Sequence, residues 1–367
     1  MKRIGACLAA MVVLLCFRFA KAETRMWVFA ASEPPQELAD TALAVPEESV
    51  SVKLTFAGDC TLGDEAEWQG HRNGFCAAVK REGMAYPFLK LQTLFAADDF
   101  TIVNLEGVLT NSGEDRQKKQ YNFRGGTELA QVLTQGSVEC VGLCNNHILD
   151  YGARGKSDTR ATLDEVGVGY FDEDTLCVLE KDGVRIGVTC TLFTLGDAKA
   201  QKLAKQTELL KQLGCAATVH VMHAGKEYLP QAGYSQRSIA RAAAEDGAAL
   251  VVGHHPHIAQ NVELLGDTPV VYSLGNCCFG GNLDPSDKTA LLLSVEMRFE
   301  NGALDEMDWT LHPISISGSS SRNDFQPYLL DGEQAQAVIK RVSDASQTAL
   351  LPFEDGAGAK QQTIRYQ

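Results

Sequence analysis

From Val52 onward the chain alternates short runs of apolar, β-branched residues with segments whose apolar positions recur every three or four residues. That alternation predicts an α/β fold, a sheet covered by helices. The strand-like runs are 52–57, 100–105, 138–144, 184–192, 217–222, 248–252 and 269–274. The first is interrupted by Lys53 and Thr55, whereas most of the others are apolar at nearly every position and suit strands buried on both faces. Between them, Phe88, Leu91, Leu94 and Phe95 follow Pro87 at helical spacing, and further helices are expected over 127–135, 155–166, 200–213 and 235–246. Asp182 and Gly183 form a tight-turn pair joining a strand at 176–180 to the one at 184–192.

The two ends have a different character. Lys2 and Arg3, an apolar run from Ile4 to Phe19, and Ala20-Lys21-Ala22 predict a secretory signal over 1–22, cleaved after Ala22; retention as an anchor is the alternative. Residues 23–50, with Pro34, Pro35, Pro46 and several glutamates, lack a period and are expected to be a flexible linker. One domain is expected over 51–316. After Ile316 a Ser-Gly-Ser-Ser-Ser stretch opens a C-terminal appendage over 317–367, with one helix at 333–350 and a disordered tail of about ten residues.

Charge narrows the partners. Without the four basic residues of the signal, 29 basic residues face 47 acidic ones, a net charge of −18. Such a surface repels nucleic acid and anionic membrane, and an anionic substrate needs local positive charge, for which bound metal is one source. Eleven cysteines, nine of them after residue 22, show no zinc-ribbon spacing and are read as small buried apolar residues, including Cys60, Cys144 and Cys277 beside the polar motifs.

The candidate chemistry lies at the strand ends. Gly58-Asp59 follows the first run and Asn104-Leu105-Glu106 ends the second, while Asn145-Asn146-His147 with Asp150 beyond follows the third. Later runs lead into His223-Ala224-Gly225, then Gly253-His254-His255-Pro256-His257, then Gly275-Asn276. Ligands of α/β sheets bind beyond the carboxyl ends of strands, so these side chains are expected to meet in one crevice. Their mixed oxygen and nitrogen donors suit Mn, Fe or Zn, and Glu106 is a candidate bridge between two such ions. Asn146 is a candidate ligand and His147 a candidate general acid oriented by Asp150. Arg124 is a candidate grip on a carboxylate or phosphate, with Asn104 and Glu227 as further candidate substrate contacts.

Seven ordered segments, GDCTLG, NLEGVLT, FRG, NNHILDYG, MHAGKEY, GHHPH and VYSLGN, cover residues 52–316 and resemble the poly-gamma-glutamate capsule synthesis (CapA) family, a branch of the calcineurin-like metallophosphatases. The resemblance implies a β-sandwich flanked by helices in four α/β/β/α layers, holding up to two divalent metals. It further implies that Asp59, Glu106, Asn146, His223, His255 and His257 are ligands, with His147 catalytic. The preference for His255 and His257 over His254 rests on that family pattern. Asp64, Ala224 and Cys277-Cys278 depart from it, and the first two are expected to reshape the mouth of the site. The expected function is metal-dependent hydrolysis of phosphoester or γ-glutamyl bonds in capsule or cell-surface polymer metabolism, outside the cytoplasm and beside a membrane-bound synthesis machinery. Expected partners are an anionic polymer or a phosphorylated small substrate. A non-catalytic surface scaffold for polymer export and an extracytoplasmic nucleotide phosphatase are the alternatives.

Overall fold

The structure is a computed structural model that describes residues 24–41, 49–346 and 350–366; the predicted signal lies outside the described residues. Two mixed sheets carry the architecture. The first has seven strands in the order Thr24–Ala30, Thr175–Lys181, Val184–Leu192, Cys215–His223, Leu250–His254, Thr268–Val271 and Val262–Leu265. The second runs from Tyr328–Leu329 through Ala303–Ser315, Thr289–Glu300, Val50–Thr61, Phe100–Leu105 and Cys140–Gly142 to Gly169–Phe171.

Alternation along the strands explains how the sheets stack. Val52, Leu54 and Phe56 of one sheet share a buried cluster with Ile186, Val188, Val219, Val221, Leu250 and Val252 of the other, so the inner faces pack against each other. The outer face of the larger sheet buries Ala57, Val103, Val141 and Leu292 under Phe75, Val79, Leu133 and Leu163, residues of helices and helical turns. On the outer face of the smaller sheet, Met222, Val251 and Val270 lie under Ile239, Ala240 and Ala243 of the Tyr234–Glu245 helix. Helices therefore flank both sides of a double sheet.

Several expectations are corrected. Residues 24–30 are not linker: they form an edge strand paired antiparallel with Thr175–Lys181, and Gln36–Asp40 is helical. Trp27 and Phe29 drive this, since both are buried with Leu176 and Leu210. The C-terminal residues are ordered as well, because Ala359–Lys360 and Ile364–Arg365 pair with Ala303–Ser315. The appended helix spans Gly332–Ala345 and buries Val338 and Ile339 in the main core. The helix expected after Pro87 shrinks to Gln92–Phe95, while Phe75–Glu82 is helical instead.

The long hairpin of Thr289–Glu300 and Ala303–Ser315 was not anticipated. Its signal is Asn301-Gly302, whose φ values of 51° and 75° give the doubly left-handed turn that matches strand twist.

Candidate metal centre

A bulge sets the first acid. Pairing between Val50–Thr61 and Phe100–Leu105 shifts between Ala57 and Asp59, which turns Asp59 away from the helical side where Ala57 and Cys60 pack. Gly58 permits it: a Cβ there would lie 1.9 Å from the Gly275 carbonyl oxygen, and the neighbouring Asp59 amide donates to that oxygen at 2.9 Å. The Asn276–Phe279 strand runs parallel to Val50–Thr61 with Asn276 opposite Asp59.

Asp59 is fully buried, and burial alone would raise its pKa. The imidazoles of His254 and His257 overcome that and hold its carboxyl well below the ordinary range. His254 Nδ1 is 3.4 Å from Oδ1 and His257 Nδ1 is 3.3 Å from Oδ2. Asn104 Nδ2 donates to Oδ1 at 2.7 Å and the His255 amide to Oδ2 at 3.3 Å.

Glu106 is the second acid. It is fully buried, and neither of its carboxylate oxygens has a hydrogen-bond partner. His223 Nε2, His147 Nε2 and His257 Nδ1 surround it at 3.6, 3.8 and 3.9 Å, beyond hydrogen-bond reach. Burial and then the Asp59 charge push its pKa well above the usual value. An orphaned, buried carboxylate is costly unless a cation compensates it. Glu106, His255 and His257 each offer a ligand atom within 4.8 Å of the other two, so this triad could hold a metal ion. The donor set and the orphaned oxygens fit a divalent cation.

The remaining predicted ligands converge on the same place. His223 Nε2 lies 2.6 Å from Asn146 Oδ1, and the His223 and His255 rings are 4.8 Å apart. Burial holds His223 well below its ordinary pKa and lowers His255 too, so both are neutral donors. His257 behaves differently: burial would depress it, but Glu106 and Asp59 raise it to about 10. Its Nδ1 is 2.9 Å from Asn276 Oδ1 and is the nitrogen that faces the two carboxylates, 3.3 Å from Asp59 Oδ2 and 3.9 Å from Glu106 Oε2. His255 and His257 both have positive φ, 96° and 60°, conformations a non-glycine residue adopts at a cost of about 1–3 kcal/mol each.

His147 stands at the edge. Asp150 Oδ2 holds its Nδ1 at 2.8 Å, and its ring stacks on Phe123 at 4.1 Å between centroids. The Phe123 amide donates to Asp150 Oδ2 at 2.6 Å, and Lys119 pairs with the other oxygen while donating to the Asn146 carbonyl at 2.8 Å.

Of the three expected substrate contacts, two are committed to protein partners. Asn104 is buried with its amide committed to Asp59 and near His223 Nδ1 at 3.3 Å, and its Oδ1 accepts from Asn145, so it orders ligands instead of facing substrate. Arg124 donates to the Thr110 carbonyl and to Gln69, above the Tyr151 ring. Glu227 is exposed on the loop after His223, where its charge acts on Glu106 and His255. Asp64 is buried and accepts from the Cys76 amide at the start of a helix. All nine described cysteines are free thiols, eight of them buried.

Sequence reasoning gave Lys119 no role and left His254 and Asn276 out of the ligand set. For His254 the signal was strand parity: Leu250 and Val252 face the inner core, so His254 points the same way, toward Asp59.

Fold and site together define a mixed α/β protein with a buried carboxylate–imidazole cluster suited to a metal ion. The family described as bacterial capsule synthesis protein PGA_cap matches residues 53–281, more than half of the chain, and the chain belongs to that family. PGA biosynthesis protein CapA of Bacillus subtilis (strain 168) is 27% identical over 327 residues, 83% of this chain and 81% of that protein. Capsule biosynthesis protein CapA of Bacillus anthracis is 28% identical over 271 residues, 67% and 64% of the two chains. Among solved structures, TT1561 of Thermus thermophilus overlays 66% of this chain and 94% of its own at 11% identity and a TM-score of 0.40, too loose a match to argue from.

Proposed function

We propose that this chain is an extracytoplasmic protein of capsule or cell-surface polymer metabolism, built on a calcineurin-like metallophosphatase fold and hydrolysing a phosphoester or γ-glutamyl bond with two divalent ions. Mn, Fe and Zn are the candidates. The observation that carries the reading is Glu106, a buried carboxylate with both oxygens unpartnered amid three imidazoles. The names of the Bacillus relatives, which specify PGA and capsule biosynthesis, support the polymer assignment.

Glu106, Asp59, Asn146, His223, His255 and His257 are the residues that would hold the ions. Bound there, divalent ions would polarise the scissile bond and lower the pKa of water. His147, kept neutral by burial, would take a proton at Nε2 from the attacking water and pass it to the leaving atom, because Asp150 occupies Nδ1. Lys119 neutralises the second Asp150 oxygen and so fixes the dyad beside Asn146. A membrane-bound polymer synthesis machinery is the proposed partner.

The test combines elemental analysis of the mature protein with a hydrolysis panel of phosphomonoesters, phosphodiesters and γ-glutamyl peptides. Stoichiometric metal and turnover of one class are expected. Metal-free protein after reconstitution contradicts the reading, and metal without turnover favours a polymer-binding scaffold.

A further inference from the structure

His254 lies outside the proposed ligand set, yet the fold builds it into the centre. It closes the Leu250–His254 strand, is 3% exposed, and stands opposite His223 in the parallel pairing of that strand with Cys215–His223. The Ala224 amide donates to its carbonyl at 3.1 Å, which ties the two strand ends together. Its Nδ1 is buried and has no hydrogen-bond partner among the described residues. A buried nitrogen in that state is costly unless something nearby compensates it. What faces it is Asp59 Oδ1, at 3.4 Å.

The two oxygens of Asp59 have different surroundings. Oδ1 accepts from Asn104 Nδ2 at 2.7 Å and faces His254, and the same Asn104 nitrogen lies 3.3 Å from His223 Nδ1. Oδ2 accepts from the His255 amide at 3.3 Å and faces His257 Nδ1 at 3.3 Å, which in turn is 3.9 Å from Glu106 Oε2. The donor atoms that a cation could share with Asp59 therefore lie on the Oδ2 side. The terminal torsion of an aspartate is broad, so a partner on Oδ1 sets the direction in which Oδ2 points. A residue present for packing alone would not turn an unsatisfied nitrogen onto a carboxylate, since an apolar side chain fills such a place without that cost.

We propose that His254 is a positioning residue for the metal centre: by holding Asp59 Oδ1 from the smaller sheet, it fixes the angle at which Oδ2 meets a cation shared with His257 and Glu106. Asn104 holds the same oxygen from the larger sheet, so the carboxylate is gripped from both. The inference rests on the metal-dependent reading above and adds a residue outside its ligand set.

Titration of the chelator-treated protein with Mn²⁺, followed by electron paramagnetic resonance of the free ion, reads the affinity directly and needs no substrate. His254→Leu should weaken Mn²⁺ binding by about tenfold, as expected for a side chain that orients a ligand. His254→Asn, whose amide places an N–H donor close to the position of Nδ1, should restore most of that affinity. His254→Phe keeps the bulk of the ring without the donor, and it repeats the test should the leucine variant not fold. Thermal melts of the same metal-free samples separate positioning from structure. Unchanged Mn²⁺ affinity in the leucine and phenylalanine variants overturns the assignment, with or without a lowered melting temperature. A loss that asparagine does not restore overturns it too, because the ring's packing would then be its role. Wild-type protein that takes up no Mn²⁺, Zn²⁺ or Fe²⁺ overturns the metal centre itself and this assignment with it.

Discussion

The two sheets make unequal contributions to the site. The larger one delivers the oxygen donors, Asp59 from Val50–Thr61, Glu106 from the end of Phe100–Leu105 and Asn146 beyond Cys140–Gly142, with the His147 imidazole beside them. The smaller delivers imidazoles: His223 ends one strand, His254 ends the next, and His255 and His257 follow it. Charge and its compensation therefore come from opposite sides of the sandwich, and the cluster closes only because the inner faces pack. Removing a donor from one side should differ in kind from removing one on the other.

The largest expected effect is at Glu106. Glu106→Gln keeps the shape, removes a buried unpaired charge and should lower metal affinity by about 100-fold or more, beyond the loss usual for an outer-shell partner. Because the apo protein no longer buries that carboxylate beside Asp59, its stability without metal should rise by about 1–3 kcal/mol. Metal titration and chelator-treated unfolding curves check both halves; a destabilised apo variant would break the contrast. On the imidazole side, His255→Ala should also weaken metal binding, yet leave the apo protein within about 1 kcal/mol of wild type, since His255 Nδ1 has no hydrogen-bond partner to lose.

A smaller effect separates two histidines of one strand. His220 and His223 are both buried in Cys215–His223, but His220 pairs with Thr189, its Nδ1 2.9 Å from the threonine Oγ1, and burial lowers its pKa to about 3. A lowered folded pKa means stability is complete above the unfolded value near 6.5 and falls as pH drops from there toward 3. Between pH 7 and 5 this one residue should cost about 2 kcal/mol, and His220→Leu should flatten the urea-unfolding pH profile over that window. An unchanged profile would show that His220 takes up its proton without unfolding. Smaller again, Gly302→Ala should destabilise by about 1 kcal/mol, because φ there is 75° and no metal-dependent quantity should move.

The same comparison explains what could be read from the chain. Strand ends on both sides were legible because buried strands are near-continuous apolar runs and a polar residue at their end stands out. Asp59, Glu106, Asn146, His223, His255 and His257 all surfaced that way, and the order of their motifs carried the family. Illegible features were those set by partners distant in sequence. Nothing near Thr24–Ala30 reveals that it pairs with Thr175–Lys181. Nothing in Gln117-Lys118-Lys119-Gln120 distinguishes Lys119, which pairs with Asp150, from its neighbour. His220 and His223 could have been told apart by parity, since Ala217, Val219 and Val221 face the core and His223 shares their side. The partners of Arg124, namely Thr110, Gln69 and Tyr151, were hidden in the same way by their distance along the chain.

The central claim is that both sheets ligate one buried cation centre. Anomalous diffraction from crystals of the protein grown with Mn²⁺ tests it most directly. The account predicts anomalous peaks within bonding distance of Glu106 and flanked by Asp59 and His257 on one side and by His223 and His255 on the other. Peaks confined to surface carboxylates, with Glu106 still unpartnered, would contradict it.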